Sequence, residues 1–464
     1  MSEHHISEKL DALYEYDREP VAEHKLQGVG KFLGLYAGEH VAGTEFVIGP
    51  LFVVHGVSAA DLFIGLFIGN ILAVLSWGFL TAPVAVRTRL TMYWHLRRVV
   101  GSKVTAGYSL VNALMFCILA GAMIAVAATA VGLPLKMEMP GLDDFYPNSV
   151  QWVVVVFCIG SVVTILAIWG FEKISNFAKV AAPWMFLLFV ACAFAVLPSL
   201  GCHSLGDFWQ VANEKIWTGV PIDGQSKFTF WHITAFSWLI NMAMHIGMSD
   251  MSILRYAKKW QYGFASITGM FLGHYIAWIA SGILCAAALR NVAPGPIAYM
   301  GAGVIGVAGV VLTSWTTANP TLYRAGLAIQ AASPNWMRWK VTLVAGVVTT
   351  VAACFPGFIM KYFEFLAIEG LILMPIGVIL ITDFWIIPAM GMKANFSEGA
   401  GFKTNWAAVV AWIGAALFCV LLIFYAHIEI FFVGIPGMLV ACLLYIGASL
   451  WMQGRSSNPN TQAL

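Results

Sequence analysis

Apolar segments long enough to cross a lipid bilayer follow one another along almost the whole chain. Of the 464 residues, 60% are hydrophobic and only 10% are charged. A transmembrane helix needs about 20 consecutive apolar residues, because the hydrocarbon core of a bilayer is about 30 Å thick. The pattern predicts an all-α integral membrane protein and excludes a soluble globular domain.

Twelve of these segments are predicted to be transmembrane helices, here called spans. In chain order they cover residues 32–54, 62–84, 105–132, 150–170, 180–198, 230–250, 264–288, 297–319, 340–355, 362–383, 406–427 and 430–452. The ninth span is short, and the eighth is expected to extend toward Gln330. An even number of spans places both termini on the same side of the membrane.

The distribution of Lys and Arg predicts the orientation. Of the 25 basic residues, 20 fall on the side that carries the termini and 5 on the other side, with none assigned to a span. Cytoplasmic loops carry the excess of basic residues. Residues 1–31 and 453–464 are therefore expected to be cytoplasmic tails of an inner-membrane protein. The 201–229 loop is expected outside, with a short interfacial helix. A net charge of +2 gives no indication of nucleic-acid binding.

Two predicted spans contain glycine and polar residues that would interrupt a helix. In the first span these are Gly34, Gly38, Glu39, His40, Gly43, Glu45 and Gly49, and in the sixth they are Asn241, His245, Gly247, Ser249 and Asp250. The two spans are five helices apart. Many secondary transporters place their binding site at the unwound first helices of two inverted five-helix repeats. Backbone groups freed at such breaks must meet a ligand, an ion or water.

The ionisable residues of the first span indicate what such a site would bind. Glu39, His40 and Glu45 lie within seven residues of an apolar segment. Ionisable side chains at membrane depth are costly, and they usually face a cavity or a partner. The cluster favours a small polar or cationic ligand. The alternative for Glu45 is a solvated acid near the outer mouth of the helix.

Hydroxyl groups near the end of the eighth span suggest an ion site. Thr313, Thr316 and Thr317 share one helical face by their spacing. Their oxygens, facing an unwound neighbouring helix, would suit a hard cation such as sodium. Alternatively, these hydroxyls bond to the preceding turn of their own helix, as is common in membrane helices. The spacing leaves both interpretations open.

Four segments resemble the nucleobase–cation symporter family, which comprises cytosine, purine, allantoin and hydantoin permeases. These segments are Gly38 to Gly49, Gly69-Asn70 through Arg87-Thr88-Arg89, Asp250 with Arg255-Tyr256, and Pro375 through Asp383-Phe384-Trp385. The resemblance implies two inverted repeats of five helices, with the first and sixth helices broken, and alternating access. The repeats would cover about 32–198 and 230–383, followed by two extra helices over 406–452.

The resemblance also implies the ligands of a coupling cation. Sodium would be held by the carbonyl groups of Gly38, Val41 and Thr313 and by the hydroxyl groups of Thr316 and Thr317. A protonatable Glu39 would allow proton coupling instead. No other cofactor is expected.

Departures from the family pattern bear on the substrate. Relatives stack flat heterocycles between aromatic rings of the third and sixth helices, where Phe116 and Trp238 are the nearest rings in this chain. Glu39, His40 and Glu369 occupy positions that are usually neutral in the family. A carboxylate binds planar N–H donors strongly. The pattern favours import of a cationic guanidino compound or amine, with a neutral nucleobase or ureide as the alternative.

Eight residues are predicted to bind the substrate: Glu39, His40, Phe116, Trp238, Asn241, His245, Asn319 and Glu369. Asp250 and Arg255 are expected to form a structural ion pair at the inner mouth. Two other functions remain open. Polar half-helices would also suit a channel, and a stripe of methionines near His245 would suit a transition metal. Enzyme activity is not expected, because the sequence has neither a Gly-rich phosphate loop nor a Ser-His-Asp arrangement. The sequence leaves the oligomeric state open.

Overall fold

Helices make up most of the described chain. The computed structural model describes residue 10 and residues 13–140, 144–288, 294–357 and 362–456. Arg290, Lys361 and the predicted C-terminal tail from residue 457 onward lie outside the described residues. Within the described ranges there is no β-strand, only isolated bridges that pair Gln27 with Ala257 and Ser58 with Thr218.

Nine helices of the described chain are long and apolar enough to cross a membrane. They correspond to nine of the predicted spans. The first and sixth predicted spans are interrupted, and the ninth is a helix of only 16 residues, Arg338–Ala353. The predicted architecture of a multi-pass helical membrane protein is confirmed.

The main helices follow the predicted spans closely. In chain order they are Val29–His40 and Glu45–Val54 (first span), Ala59–Ser76 and Ala82–Thr88 (second), Ser102–Gly132 (third), Val150–Trp169 (fourth), Phe171–Val196 (fifth), Phe230–Leu239 and Met242–His245 (sixth), Trp278–Ala287 (seventh), Pro294–Ala332 (eighth), Arg338–Ala353 (ninth), Tyr362–Ile381 (tenth), Trp406–Phe424 (eleventh) and Gly434–Ser456 (twelfth). A π-helical turn over Trp77–Thr81 connects the two helices of the second span, and another over Gly269–Ala277 precedes the helix of the seventh.

The first span breaks where the sequence predicts it. Its first helix ends at His40, Val41 has non-helical angles (φ −89°, ψ 65°), and a second helix begins at Glu45. Gly43 lies in the break against the eighth span, and a Cβ atom there would come within 3.2 Å of Thr313 Oγ1. A residue without a side chain allows this close approach.

The sixth span is interrupted twice. Its first helix ends at Leu239, Asn241 has φ −103° and ψ 24°, and one short turn follows over Met242–His245. Met248 then adopts a positive φ of 67° before the turn Met251–Leu254. Residue Asp250 precedes that last turn, so its side chain lies next to a break in the chain.

The eighth span is the longest helix of the described chain and contains an unpredicted feature. It runs from Pro294 to Ala332 with a kink at Ala302 and Gly303, and it packs against the third and fifth spans. The expected extension toward Gln330 is therefore present. As a result, Arg324 lies inside the bundle with no exposed surface. The assignment of this residue to an inner loop, and of no basic residue to a span, was wrong.

The long loop between the fifth and sixth spans contains the expected short helix. Residues Phe208–Val211 form an α-helical turn that continues as a π-helical turn over Ala212–Ile216. Trp217, at its end, is buried, and its backbone carbonyl accepts a hydrogen bond from the Ala59 N–H at 3.1 Å. The loop is thereby joined to the start of the second span.

The excess of basic residues on one face predicts that this loop lies outside the cell. A cysteine introduced at the exposed Asn213 should react with a membrane-impermeant maleimide in intact cells. A cysteine at the exposed Lys393, between the tenth and eleventh spans, should react only after the cells are opened. The opposite labelling pattern would invert the orientation.

Candidate functional site

Both helix breaks contribute to one closed cavity within the bundle. Its volume is about 40 Å³, enough for a few water molecules. Side chains from the first, third, sixth, seventh, eighth and tenth spans surround it. The lining residues are Glu39, His40, Ala42, Thr44, Glu45, Ile48, Leu119, Met123, Ile240, Asn241, Ala243, Met244, His274, Thr317, Thr321 and Glu369.

Three carboxyl groups line this cavity. Glu39, Glu45 and Glu369 are 5%, 3% and 1% exposed, so all three are withdrawn from bulk water. Burying a carboxylate is strongly unfavourable unless it is paired and hydrogen-bonded. The partners of each group therefore decide what it is free to do.

Glu39 is already occupied by a cation from the eighth span. Arg324 donates to both carboxylate oxygens of Glu39, with Nη1–Oε1 at 2.5 Å and Nη2–Oε2 at 3.1 Å. The same guanidinium reaches Asp250 in the sixth span, with Nη2–Oδ1 at 2.5 Å. Asp250 Oδ2 also accepts hydrogen bonds from Trp77 Nε1 at 2.5 Å and from Tyr36 OH at 3.1 Å. We call Glu39, Arg324 and Asp250 the buried ion triad.

The triad replaces one predicted pair. The sequence predicted an ion pair between Asp250 and Arg255, but the cationic partner of Asp250 in the structure is Arg324. The sequence contained a signal for this pairing, because an acid at membrane depth requires a partner. Arg324 lies in the continuation of the predicted eighth span, where its basic side chain was attributed to an inner loop.

Glu45 and Glu369 have no such partner. Neither forms an ion pair with a described Lys or Arg side chain. The Glu45 carboxylate accepts a hydrogen bond from Trp278 Nε1, and its backbone carbonyl accepts one from Ser281 Oγ at 2.7 Å. Glu369 Oε1 is buried without a described hydrogen-bond partner. Two buried carboxyl groups thus face the cavity without an ion pair to any described Lys or Arg.

Imidazole and amide groups supply the remaining polar surface of the cavity. His40 Nδ1 lies 3.0 Å from the Tyr36 carbonyl oxygen and therefore donates to it. Asn241 Nδ2 lies 3.3 Å from His274 Nε2. The ring centroids of His40 and His274 are 5.2 Å apart. Among the described lining residues none is Phe, Tyr or Trp. A flat heterocycle would find no phenyl, phenol or indole ring to stack on among the described lining residues.

Four predicted substrate residues lie outside the cavity lining. Phe116 is fully buried in the apolar core. Trp238 Nε1 donates to Ser76 Oγ at 3.0 Å, and the Trp238 carbonyl accepts from His245 Nε2 at 3.0 Å. Asn319 is buried in the eighth span, and its amide has no described partner. Glu39, His40, Asn241 and Glu369 do line the cavity, as does Glu45 from the predicted cluster of the first span, and His274 lines it without having been predicted.

The methionines of the sixth span lie in different surroundings. Met244 lines the cavity, whereas Met248 and Met251 are buried in the core. In the described part of the chain, no three His, Cys, Asp or Glu side chains are grouped so as to hold a metal ion.

Oxygen atoms of the eighth span converge on the break in the first span. Thr317 Oγ1 donates to the Glu39 carbonyl at 2.8 Å and lies 3.1 Å from the Thr313 carbonyl. Thr316 Oγ1 lies 2.9 Å from the same Thr313 carbonyl. Both hydroxyls bond to their own helix, and that of Thr317 also bonds to the last turn of the first helix of the first span. The first-span carbonyl in these contacts belongs to Glu39, whereas the sequence pointed to Gly38 and Val41.

The N-terminal segment is packed over the face that carries the termini. Arg255 donates to the backbone carbonyls of Tyr16 at 2.5 Å and Glu15 at 2.7 Å. The Glu15 carboxylate accepts hydrogen bonds from Tyr256 OH at 2.9 Å and Tyr323 OH at 2.8 Å. The sequence predicts a cytoplasmic tail here; the described part of this segment is bonded to residues of the sixth and eighth spans.

No family model and no curated protein matches the sequence. Solved structures nevertheless share the fold. The closed conformation of Mhp1, a nucleobase-cation-symport-1 family transporter with bromovinylhydantoin bound, has a TM-score of 0.74 at 16% identity, covering 95% of this chain and 96% of that chain. The inward-facing conformation of Mhp1 has a TM-score of 0.68 at 15% identity, with the same coverage.

A second transporter has the same fold. The substrate-bound, outward-open state of a Na⁺-coupled sialic acid symporter has a TM-score of 0.68 at 13% identity, covering 96% of both chains. At these identities the likeness establishes the fold and not the substrate. The fold implied by the sequence resemblance is confirmed over almost the whole chain.

The triad predicts a strong dependence of stability on Arg324. Arg324→Gln would leave two buried carboxylates without a cation, so the free energy of unfolding should fall by about 3–5 kcal/mol. Glu39→Gln should cost less, because Arg324 keeps Asp250 as its partner. The comparison is made by thermal unfolding of the purified protein in detergent.

The exposed pair of Arg98 and Glu398 supplies the control. Arg98→Gln should change stability by less than about 1 kcal/mol, since solvent screens that pair. Equal effects of Arg324→Gln and Arg98→Gln would show that the buried triad does not hold the bundle together.

Proposed function

We propose that the protein is a secondary active transporter that couples the movement of a small cationic solute, carrying N–H donors, to a cation gradient by alternating access. One observation carries the proposal. Glu45 and Glu369 face a closed cavity between two broken helices, and neither has a described Lys or Arg partner.

The charge balance of the site supports a cationic solute. The ion pairs of Arg324 are with Glu39 and Asp250, and it forms none with Glu45 or Glu369. A guanidinium or ammonium group entering the cavity would supply the missing charge. Guanidinium is the better match, because its planar N–H groups bind carboxylates with two parallel hydrogen bonds. Glu39, proposed from sequence for this role, is better explained as a structural partner of Arg324.

The size of the cavity supports alternating access. The cavity holds only a few water molecules, so a solute as large as a nucleobase could enter only while the helices are apart. The TM-score is higher against the closed state of Mhp1 than against its inward-facing state, 0.74 compared with 0.68. The higher TM-score against the closed state supports assigning the present structure to a closed state of the transport cycle.

The oxygen cluster of the eighth span supports sodium as the coupling ion. The carbonyls of Glu39 and Thr313 and the hydroxyls of Thr316 and Thr317 all lie within hydrogen-bonding distance of another member of the group. A sodium ion bound among them would be coordinated by the lone pairs of these oxygens. If the coupling ion is a proton, Glu45 or Glu369 would carry it, because the Glu39 carboxylate is held by two bonds to Arg324.

The organisation predicted from sequence completes the proposal. Two inverted repeats over about 32–198 and 230–383 would move relative to each other around the cavity, with the 406–452 helices outside the repeats. The excess of basic residues supports an inner-membrane location with both termini in the cytoplasm.

A neutral ureide or hydantoin is the second candidate substrate. It is favoured by the bromovinylhydantoin bound to Mhp1 and by the Asn241 amide at the cavity. The two candidates differ in how they depend on Glu369, because a neutral ring does not need a charged partner.

The substrate prediction is tested by binding to the purified protein. Guanidinium, methylguanidinium and small amines should bind in the presence of sodium, and cytosine and allantoin should bind poorly. Glu369→Gln keeps the shape of the side chain and removes its charge. It should weaken guanidinium binding by about 10- to 150-fold, the scale of one charge-assisted hydrogen bond of about 1.5–3 kcal/mol.

Glu214→Gln is the matched control, because Glu214 is exposed in the outer loop. It should leave binding unchanged. Tight binding of cytosine or allantoin that persists in Glu369→Gln would contradict the cationic substrate and show that the protein binds a neutral one.

The ion prediction concerns Thr317. Thr317→Ala removes one oxygen from the proposed sodium site, so half-maximal uptake into proteoliposomes should require at least about 10-fold more sodium. Thr350→Ala is the control, because that hydroxyl bonds only within the ninth span, to the Gly346 carbonyl at 2.7 Å. Unchanged sodium dependence in a Thr316→Ala/Thr317→Ala double variant would place the coupling ion elsewhere.

A further inference from the structure

A second pocket lies away from the candidate site, on the face that carries the termini. It has a volume of about 550 Å³, within the range of small-molecule sites. It forms between the segment joining the second and third spans and the segment joining the tenth and eleventh spans. Its wall contains four basic side chains: Arg18, Arg97, Arg98 and Lys403. We call it the basic pocket.

The local sequence places the pocket residues on one side of a short helix. Thr91 caps the helix Met92–Val100 by accepting a hydrogen bond from the Trp94 N–H at 3.3 Å. Trp94, Arg97 and Arg98 then share one face by their i, i+3 and i+4 spacing. The opposite face is buried in the bundle. The pocket side of this helix is therefore the side that carries its charge.

Backbone hydrogen bonds join the segment between the tenth and eleventh spans to the segment between the second and third spans. The Lys103 N–H donates to the Lys403 carbonyl at 2.9 Å, and the Asn405 N–H donates to the Val100 carbonyl at 2.9 Å. Gly101 between them has a φ of +87°, and a Cβ atom there would lie 2.6 Å from the Lys403 carbonyl. Only glycine satisfies both the backbone angle and the close approach. These contacts hold the two segments together, and the pocket lies between them.

The basic residues are only partly neutralised. Arg98 pairs with Glu398 at 2.7 Å, and Arg18 lies 3.7 Å from Asp17. Arg97 and Lys403 form no ion pair with any side chain in the described ranges. The pocket therefore carries a net positive charge.

Two buried polar groups at the same pocket lack partners. Ser397 is 1% exposed, and its hydroxyl has no hydrogen-bond partner among the described residues. The indole N–H of Trp94 is also buried without one. Unpaired buried donors are costly, so a ligand with acceptor oxygens would be favoured here.

We propose that the basic pocket binds the phosphate group of an anionic ligand. Phosphate oxygens would accept from Arg97, Lys403, the Trp94 N–H and the Ser397 hydroxyl. Arginine and lysine are the usual phosphate partners in proteins. The pocket lies between segments that join membrane spans, where basic pockets bind the headgroups of acidic phospholipids. A soluble organic phosphate has the same chemistry, and the two sources are separated by experiment. The proposal is independent of the transport substrate.

The test is thermal unfolding of delipidated protein in neutral detergent, titrated with three probes. These are dioctanoyl-phosphatidylglycerol, dioctanoylglycerol, which has the same chains but no phosphate, and glycerol phosphate. A ligand that binds the native state raises its apparent stability. Phosphatidylglycerol should stabilise the protein and dioctanoylglycerol should not. Equal affinity for glycerol phosphate would identify a soluble phosphate as the ligand source.

An Arg97→Gln/Lys403→Gln double variant should bind phosphatidylglycerol about 30-fold more weakly, from about 1 kcal/mol per basic residue. Lys393→Gln, which removes one positive charge at an exposed position of the same segment, should keep the wild-type affinity. Trp94→Phe gives a second variant that removes one N–H group and no charge, and it should also weaken binding. Stabilisation by dioctanoylglycerol equal to that by phosphatidylglycerol, or equal loss in Lys393→Gln, would overturn the proposal.

Discussion

The buried ion triad of Glu39, Arg324 and Asp250 is the interaction on which the rest of the site depends. It joins the end of the first helix, the broken sixth span and the eighth span, which lie far apart in sequence. A buried charge pair is stable only when its geometry is good and its other hydrogen bonds are satisfied. The carboxylate oxygens of Glu39 and Asp250 are satisfied by Arg324, Trp77 and Tyr36, whereas Arg324 Nε has no hydrogen-bond partner among the described residues. Because the ion pairs of Arg324 are made with Glu39 and Asp250, the carboxyl groups of Glu45 and Glu369 are left to bind a proton or a cation that enters the cavity.

The triad is next to two other sets of contacts. Glu39 lines the cavity, and Tyr323, the neighbour of Arg324 in the eighth span, belongs to the network of Glu15 and Arg255 formed with the N-terminal segment. Movement of a solute toward the face that carries the termini would require both sets of contacts to separate. Alternating access on this fold would therefore alternate the pairing of the triad as well as the positions of the helices.

The sequence predicted the properties that are local. Span positions follow from apolar length, and the breaks at Val41–Thr44 and at Asn241 follow from glycine and polar residues within apolar segments. The partner of Glu39 was missed because the pairing spans 285 residues, a separation that no local pattern encodes. Phe116 and Trp238 lie outside the cavity lining for a related reason, since helix rotation decides which side chains reach the cavity. Glu45 belongs to the predicted cluster of ionisable residues, with a solvated position near the outer mouth as the alternative, and it faces the cavity.

The central claim is that a cationic solute moves together with a cation, and the charge moved per solute tests it most directly. Current through proteoliposomes on a solid-supported membrane, divided by tracer flux of guanidinium, should give about two elementary charges per solute if one sodium ion accompanies it. One charge per solute would contradict the account. With guanidinium as the tracer, it would indicate uncoupled passage of guanidinium. With allantoin as the tracer, it would indicate symport of a neutral solute.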